Sequence, residues 1–305
     1  MIYDVAIIGG SFAGLTAGIY SARKKLSTII LTKNLGGQAI LTEEIGNFPG
    51  FEKISGRELT QKITDQNKKY GVEIKEGTEI ISIKKDEEEF EVRLRNLEVG
   101  LRAKSVIIAT GKEYRHLNVP GGKEYENKGI SFCSTCDAPL FENKDVAVVG
   151  GGNSGLCSSR DLLAYANKIY VMDVLSQITG DEIIQEQLKK SGKVEFITNA
   201  KIKEIKGGNF VEKIIYSDGD DEKELNVQGI FVNIGWMPSS GLAKELVKIN
   251  KAGEIIIDHN TNETSVPGIF AAGDVTDIKY KQCVIAAAEG AKAALSAYEY
   301  LKNKK

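Results

Sequence analysis

The stretch DVAVVGGGNSG, residues 145–155, decides the fold class of this chain. It begins with a mainly apolar run of the length typical of a buried strand. Gly150, Gly152 and Gly155 then match the pattern G-x-G-x-x-G, and a helical pattern follows. A second apolar run at 168–172 completes a strand–turn–helix–strand unit of the dinucleotide-binding type. The sequence therefore predicts an α/β fold with a parallel sheet.

The chain opens with a second unit of this kind, DVAIIGGSFAG at residues 4–14. Only Gly9 and Gly14 match the fingerprint here, because Ser11 stands where the middle glycine lets the backbone approach a phosphate. The Ser11 hydroxyl could instead donate a hydrogen bond to a phosphate oxygen. For either turn the alternative is a tight strand–helix connection without a ligand. Two such units predict two dinucleotide-binding domains.

The remaining sequence alternates further strand and helix patterns. We expect helices at 57–69 and 282–301 and strands at 79–95, 105–109, 230–234, 255–257 and 269–272. Two charged stretches, 86–89 and 218–224, are interpreted as hairpin tips. The expected buried stripe of the last helix is Val284, Ala287, Ala291, Ala294 and Tyr298.

The composition excludes several classes of protein. The 305 residues are 42% hydrophobic and 27% charged, which is typical of a globular chain of two domains. Forty Lys and Arg against 42 Asp and Glu give a net charge of −2, so the basic footprint of a nucleic-acid-binding protein is absent. No apolar run reaches the about 20 residues of a membrane span, and the first residues show no secretory pattern. We therefore expect a cytoplasmic protein without a membrane segment.

Four cysteines are too few for a secreted disulfide scaffold. Cys133 and Cys136 form a C-x-x-C pair, and two thiols at this spacing can close a readily exchanged disulfide. Asp137 follows directly and could carry the proton that thiol exchange requires, the alternative being a surface carboxylate. Cys157 and Cys283 lie in helical patterns and are expected to be small buried residues.

Zinc is one alternative for the C-x-x-C pair. A zinc site needs a second cysteine pair or histidines at ligand spacing. The two histidines, His116 and His259, do not provide that spacing and are expected at the surface. We therefore expect no metal, while a purely structural role for the pair stays open.

Asp173 ends the second strand of the 145–172 unit, about 20 residues after the glycine turn, where an acid hydrogen-bonds the adenosine ribose. A carboxylate there repels a 2′-phosphate, and neither Met172 nor Val174 offers a cationic clamp. The sequence therefore favours NADH over NADPH. The alternative is that Asp173 only caps the strand end. The corresponding residues of the first unit, Thr32 and Lys33, include no acid.

Six motifs taken together resemble one family. They are GGSFAG at 9–14, GGQ at 36–38, ATG at 109–111, CSTCD at 133–137, GGGNSG at 150–155 and AAGD at 271–274. The set resembles the low-molecular-weight thioredoxin reductases along essentially the whole chain. It is also similar to the flavoprotein portion of the NADH-dependent alkyl hydroperoxide reductase, which residues 280–301 resemble most.

The resemblance implies two Rossmann-like dinucleotide-binding domains of the three-layer ββα type, the second inserted into the first. Residues 1–113 and 246–305 would form a discontinuous FAD-binding domain. Residues 114–245 would form a nucleotide-binding-like domain that carries the C-x-x-C. The resemblance also implies a homodimer and a rotation of one domain against the other, so that the flavin meets the nicotinamide and the disulfide in turn.

The resemblance assigns roles to individual residues. Cys136 would face the flavin, and Cys133 would attack the disulfide of the partner. Asp274 would hydrogen-bond the ribityl chain, and a helix that begins near Gln282 would stabilise the negative charge of reduced flavin. The residues expected to bind FAD are Gly9, Ser11, Phe12, Ala13, Gly14, Thr32, Lys33, Gly37, Gln38, Asn47, Ala109, Thr110, Gly111, Gly273, Asp274, Lys281, Gln282 and Cys283. Those expected to bind NAD are Gly150, Gly152, Asn153, Ser154, Gly155 and Asp173.

The sequence departs from the thioredoxin reductases at three places. Ser11 interrupts the first fingerprint, and residues 156–159 replace the acidic residue and small alanines that usually follow GGGNSG. The His-Arg-Arg type motif that binds the 2′-phosphate of NADPH is replaced by Met172, Asp173 and Val174. The leading hypothesis is therefore an FAD-dependent disulfide reductase of thioredoxin or a thioredoxin-like protein, with NADH favoured as donor. The alternatives are reduced ferredoxin as donor, a dithiol oxidase of small molecules, and a non-enzymatic flavin-bound redox sensor.

Overall fold

A computed structural model describes residues 2–42, 44–95, 100–219 and 221–304 of the chain. The contacts within the chain define two compact units. The first unit contains Met1–Glu113 and Met237–Lys305, and the second unit is Tyr114–Trp236. Within the described ranges, no helix combines the length and the hydropathy that crossing a bilayer requires.

The division before Met237 follows from burial. Ala243 and Val247 are buried in a core of the first unit, together with Ile83 and Ile255. Residues 237–245 therefore pack with the first unit, and the structure places this boundary earlier than the sequence-based position after residue 245.

The strands and helices have the following bounds. The strands are β1 (Ile2–Gly10), β2 (Thr28–Leu35), β3 (Glu73–Lys75), β4 (Ile80–Asp86), β5 (Glu89–Leu94), β6 (Leu101–Ile108), β7 (Lys112–Tyr114), β8 (Ile130–Ser131), β9 (Asp145–Val149), β10 (Lys168–Met172), β11 (Val194–Ile197), β12 (Ala200–Gly207), β13 (Val211–Asp218), β14 (Asp221–Asn226), β15 (Gly229–Val232), β16 (Trp236–Pro238) and β17 (Ile269–Ala271). The helices are α1 (Phe12–Arg23), α2 (Gly56–Lys69), α3 (Ser134–Asp137), α4 (Asn153–Leu162), α5 (Glu182–Lys190) and α6 (Cys283–Asn303), with 3₁₀ turns at Gly37–Leu41, Ala138–Phe141 and Gly241–Ala243.

The first unit is built on a parallel sheet in the order β3-β2-β1-β6, and β17 pairs with the end of β6. Alternate residues of each strand face opposite sides, as the strand geometry requires. Val5 and Ile7 pack with α1 and α6 on one side. Ala6 and Ile8 pack against the hairpin of β4 and β5 on the other. The hairpin joins the start of β6 antiparallel, so the unit has the three layers of the ββα type.

The second unit repeats this plan. Its parallel sheet has the order β11-β10-β9-β15-β8. The helices α4 and α5 cover one face through Leu156, Leu162 and Leu188. The antiparallel sheet β12-β13-β14 covers the other, through residues that include Ile205 and Ile214. The predicted α/β class with two dinucleotide-binding folds is confirmed.

Two local predictions differ from the structure, and a third, the 86–89 hairpin tip, is confirmed. The 255–257 stretch is no named strand, since only Ile255 makes isolated bridges, to Ile249 and Thr276. The 86–89 tip is a turn between β4 and β5, whereas residues 221–224 lie within β14 and Asp220 falls outside the described residues.

The buried face of α6 is not the predicted stripe. Its buried residues are Glu289, Gly290, Ala293, Ala294, Ala297 and Leu301. Only Ala294 belongs to the stripe expected from the sequence. The reason is the close packing of α6 on α1, where a Cβ added at Gly290 would lie 2.0 Å from the Ala13 carbonyl oxygen. The glycine therefore selects the face that contacts α1.

Candidate functional site

The first glycine turn connects β1 with α1. Gly9 has φ +117, and a Cβ added there would lie 2.0 Å from the carbonyl oxygen of Ala109, at the end of β6. A Cβ added at Gly14 would lie 1.9 Å from the carbonyl oxygen of Gly9. Both glycines are therefore required by the backbone of the turn itself, which positions the start of α1.

Ser11 occupies the N-cap position of α1 but does not cap the helix with its side chain. Its hydroxyl donates to the carbonyl oxygen of Gly36 at 2.8 Å, and the Gly36 N–H donates to Gly10 at 2.8 Å. The Ser11 hydroxyl, which the sequence suggested as a donor to a phosphate oxygen, thus donates to the Gly36 carbonyl oxygen in this structure. These two bonds fix the loop of Gly36 and Gly37, which leads to Gln38, beside the turn.

The second glycine turn has the same construction between β9 and α4. Gly150 has φ +115, and its added Cβ would lie 2.2 Å from the Asn233 carbonyl oxygen. The added Cβ of Gly155 would lie 1.8 Å from the Gly150 carbonyl oxygen. Gly152 differs, because a Cβ added there would meet nothing within 4 Å. The middle glycine faces open space, where a ligand can approach.

The helices differ in how their first N–H groups are satisfied. In α2 the Ser55 side chain accepts from the Glu58 N–H, and in α5 the Asp181 side chain accepts from Ile183. Among the described helices, α1, α4 and α6 begin without a side-chain cap. Uncapped N–H groups at the positive end of a helix bind anions. The donor sets of α1 and α4 therefore fit the phosphates of dinucleotides.

Asp173 lies directly beside the second turn. Its Oδ2 accepts from the Gly151 N–H at 2.6 Å, and its Oδ1 accepts from the Leu175 N–H at 2.9 Å. The partly buried carboxylate thus places a negative charge at the end of β10 and holds the turn. Nearby, the Asn153 side chain accepts from the Asp181 N–H at 2.7 Å.

The corresponding strand end in the first unit carries no acid. An added Cβ at Gly10 would meet the Thr32 side chain at 2.7 Å, so Thr32 stands in the place that Asp173 has in the second unit. The Thr32 hydroxyl donates to the Asn34 carbonyl at 2.7 Å. Lys33 is exposed and lies 3.9 Å from Glu79.

Residues of the expected flavin site that are far apart in sequence meet in the first unit. The Asn47 amide donates to the Gln282 side-chain oxygen at 3.2 Å. Both residues line a cavity of about 410 Å³ together with Cys283, the first residue of α6. Burial, and then the charge of Asp274, raises the pKa of the Cys283 thiol. The cavity is thus bounded by the uncapped start of α6.

The sequence reasoning missed three residues around the loop that carries Asp274, namely Lys112, Glu254 and Glu289. Lys112 lies 3.0 Å from the Asp274 carboxylate, and Lys281 lies 2.9 Å from Glu254. Glu289 is 2% exposed and accepts from the Gly273 N–H at 3.0 Å. The position of Lys112 directly after the ATG motif was the only local signal.

Cys133 and Cys136 form a disulfide in the second unit. Cys133 is the N-cap residue of α3 and is half-buried, whereas Cys136 is exposed. The Cys136 N–H donates to the Cys133 sulfur at 3.2 Å. A donor in this position stabilises negative charge on the Cys133 sulfur once the disulfide is reduced.

Asp137 belongs to the same turn. Its N–H donates to the Cys133 carbonyl at 3.1 Å, which closes the turn, and a 3₁₀ turn with Pro139 as its second residue follows at Ala138–Phe141. Its carboxylate accepts from the Ser131 hydroxyl at 2.6 Å. The Ser134 hydroxyl donates to Asp161 of α4 at 2.9 Å. The structure thus brings together a disulfide, a carboxylate and two buried serines.

The predicted surface histidines both have acidic neighbours. His116 Nδ1 lies 2.7 Å from Glu126, and its ring packs edge-on against Phe132. His259 lies 3.6 Å from Asp277. Of the two free cysteines, Cys157 and Cys283, neither is fully buried.

Known proteins match this chain along nearly its whole length. The family model described as "Pyridine nucleotide-disulphide oxidoreductase" matches residues 3–290. Thioredoxin reductase from Lactococcus lactis matches 99% of the chain and 99% of its own, with TM-score 0.84 and 34% identity. Thioredoxin reductase from T. acidophilum matches 97% and 98% of the two chains, with TM-score 0.80 and 36% identity.

Two kinds of curated relative are longer than this chain. One component of the alkyl hydroperoxide reductase of Staphylococcus aureus (strain MRSA252) is 44% identical over 98% of the chain, which spans 59% of that protein. An NADH dehydrogenase of Bacillus subtilis (strain 168) is 40% identical over 98% of the chain and 58% of its own length.

These matches confirm the predicted class of enzyme, a flavoprotein disulfide oxidoreductase of the thioredoxin reductase type, and its cofactor FAD. Two ββα units, two glycine turns beside uncapped helices and a C-x-x-C disulfide are what such an enzyme requires. The chain belongs to the pyridine nucleotide-disulphide oxidoreductase family.

Proposed function

We propose that this protein takes two electrons from NADH and passes them, through FAD and the Cys133–Cys136 disulfide, to thioredoxin or a thioredoxin-like protein. The observation that carries the proposal is the disulfide at the start of α3, with the Asp137 carboxylate on the same turn. A disulfide, a charge-stabilising N–H and a carboxylate are the groups that dithiol exchange needs.

The first unit supplies the residues that hold FAD in this proposal. The N–H groups at the start of α1 bind its phosphates, and the Ser11 bond to Gly36 keeps the neighbouring loop in place. Asn47 and Gln282 provide polar atoms around the cavity at the start of α6, and the charge of Asp274 acts on Cys283, which also lines it. Bound FAD supplies the two-electron link between a nicotinamide and the protein disulfide.

NADH is the proposed donor because of Asp173. Its carboxylate sits beside the open position of Gly152, at the strand end where the ribose of a dinucleotide lies. A negative charge there accepts hydrogen bonds from ribose hydroxyls and repels the 2′-phosphate of NADPH. The B. subtilis relative, an NADH dehydrogenase by name, agrees with this donor.

The thiol chemistry balances within the second unit. Asp137 takes the proton of the Cys133 thiol while the Cys133 sulfur attacks one sulfur of the partner's disulfide. The partner's S–S bond breaks, a mixed disulfide forms, and Asp137 returns the proton to the leaving thiolate. The Cys136 sulfur then attacks Cys133, which restores the Cys133–Cys136 disulfide and releases the second partner thiol with the proton of Cys136. Two electrons and two protons have moved to the partner.

The proposal includes the assembly and the compartment. We expect a homodimer that works in the cytoplasm, where glutathione and thioredoxin systems keep partner thiols reduced. The thioredoxin reductases that this chain resembles over its whole length support a thioredoxin-type partner.

An anaerobic titration of the FAD-loaded protein tests the donor. NADH, NADPH and reduced ferredoxin are added in separate cuvettes, and the flavin absorbance is followed. We expect NADH to bleach the flavin at far lower concentration than NADPH. Bleaching by ferredoxin alone, or a preference for NADPH, would overturn the assignment of NADH.

The role of the disulfide is tested with Cys136→Ser. This variant is expected to retain bleaching by the donor and to lose reduction of thioredoxin. Cys157→Ser is the matched control, because Cys157 is a free cysteine of the same unit, and it should keep both activities. Unimpaired thioredoxin reduction by Cys136→Ser contradicts the proposal.

A further inference from the structure

Ser131 connects the two functional groups of the C-x-x-C turn. Its hydroxyl donates to the Asp137 Oδ2 at 2.6 Å and accepts from the Cys133 N–H at 3.1 Å. The serine is 6% exposed, so water competes little for either bond. One buried hydroxyl thus ties the carboxylate to the backbone of one particular cysteine.

The backbone of Ser131 is itself held firmly. The serine ends β8, and its register partner in the parallel sheet is Phe231 of β15. Phe231 is fully buried. A group on a strand of the central sheet keeps its position better than a group on a loop. The hydroxyl therefore gives the Asp137 side chain a fixed point outside the helical turn that carries it.

The geometry also distinguishes the two cysteines. Asp137 follows Cys133 by four residues, and its N–H donates to the Cys133 carbonyl oxygen at 3.1 Å, so the turn that carries the carboxylate is closed on Cys133. The Ser131 hydroxyl accepts from the N–H of this same cysteine. Cys136 is exposed and lies next to Asp137 in sequence, where adjacent side chains point apart.

We infer that Ser131 is a positioning residue, which holds the Asp137 carboxylate so that it serves the Cys133 sulfur and the thiolate leaving from the partner's disulfide. This inference rests on the proposed function, because it assigns the orientation of the proton carrier in that reaction. Ser131 moves no proton itself. Its hydroxyl restrains the carboxylate in the place where a leaving thiolate forms.

The rates of reaction with two kinds of disulfide distinguish a positioning role of Ser131 from a purely structural one. A leaving alkyl thiolate is basic and needs a proton, whereas a leaving aryl thiolate such as thionitrobenzoate departs unprotonated. Holoenzyme with a reduced Cys133–Cys136 pair is mixed anaerobically with an alkyl disulfide, 2-hydroxyethyl disulfide, or with the aryl disulfide dithiobis(nitrobenzoate). Reduction with dithiothreitol before mixing makes the result independent of the donor.

Ser131→Ala is expected to slow the alkyl reaction by about tenfold, a part of the 10²–10⁴-fold that proton transfer contributes. The aryl reaction should slow several-fold less than the alkyl reaction, because Asp137 then only takes the proton of Cys133 and the leaving thiolate needs none. In an Asp137→Asn background, Ser131→Ala should add no further loss, because the group it positions is gone. The nearly isosteric pair Ser131→Thr and Ser131→Val repeats the comparison should the alanine variant not fold, with the threonine close to wild type.

Ser134→Ala is the matched control. Ser134 is the other buried serine of this turn, but it donates to Asp161 of α4. Its removal should affect both disulfides alike, and its effect should add to that of Asp137→Asn. Equal slowing of both disulfides by Ser131→Ala, or full additivity with Asp137→Asn, overturns the inference alone. If Asp137→Asn itself does not distinguish the two disulfides, the proton role of Asp137 in the proposed function fails.

Discussion

The two glycine turns have the same backbone but differ at the position that faces a ligand. In each turn a Cβ added at the first or last glycine would clash with a carbonyl oxygen of the protein, at 2.0 and 1.9 Å for Gly9 and Gly14. At the middle position one turn has Gly152, which faces open space, and the other has Ser11, which bonds to Gly36. The outer glycines of the fingerprint are thus required by the fold of the turn. Only the residue at the middle position determines how closely a phosphate could approach.

The strand ends beside the two turns differ in the same way. Asp173 braces its turn through the Gly151 N–H and brings a charge, whereas Thr32 bonds to its own strand end and brings none. In the first unit, the loop at Gly36 lies beside the turn and is bonded to Ser11 and Gly10. The comparison teaches that the two turns share one backbone and differ in single side chains at the positions where a ligand would approach.

The outer glycines should give the largest effects. Gly14→Ala and Gly155→Ala each force a Cβ into a backbone oxygen and should cost about 1–3 kcal/mol of stability. Gly14→Ala should also lower the FAD content, whereas Gly155→Ala should keep FAD and weaken NADH binding. Denaturant unfolding measures the stability of each variant, and flavin absorbance measures its FAD content. Gly241→Ala, whose Cβ would meet nothing within 4 Å, is the control. Equal FAD loss in both variants would break the comparison.

The middle positions should separate binding from stability. Gly152→Ala places its Cβ in open space, so stability should change by less than about 0.5 kcal/mol. NADH affinity should nevertheless fall by about tenfold or more, since the Cβ occupies the approach to the turn. Ser11→Gly should lose about 1 kcal/mol with the Gly36 bond and keep FAD. Isothermal titration with NADH measures the first effect, and the flavin content of the purified protein measures the second. An unchanged NADH affinity in Gly152→Ala would contradict the proposal that this turn binds NADH.

Removal of the charge at Asp173 tests whether this carboxylate determines the preference for NADH over NADPH. Asp173→Asn keeps an oxygen for the Gly151 N–H but no longer repels a 2′-phosphate. The ratio of NADPH to NADH in kcat/KM should rise by about tenfold, which corresponds to ~1.4 kcal/mol. A ratio that stays at the wild-type value would mean that Asp173 only braces the turn.

Lys33 should give the smallest effect. Its side chain is exposed and its partner Glu79 lies 3.9 Å away, so the pair is screened by solvent. Lys33→Ala should leave the unfolding midpoint and the FAD content as in wild type. A marked fall in FAD affinity would show that the lysine reaches the cofactor, as the sequence comparison expected.

Local sequence patterns were sufficient for much of the fold. The strands at 145–149 and 168–172 have the predicted bounds. An apolar run is a signal that lies within a few consecutive residues, so it can be recognised without knowledge of the tertiary structure. The sheet β12-β13-β14 was not predicted, because its exposed strands are rich in charge and lack a local apolar signal. The face of α6 was wrong because small residues lie all around the helix, and only contact with α1 selects one side.

The sequence by itself determined the two βαβ units, the glycine turns and the reactive cysteine pair. Each of these is encoded over a short window, by periodicity, by glycines where a Cβ cannot fit, or by the spacing of two thiols. Only the tertiary structure decided which distant polar groups meet: Asn47 with Gln282, 235 residues apart, and Lys112 with Asp274. The physical reason is that such contacts depend on how strands are ordered in the sheets, and no local pattern of residues specifies that order.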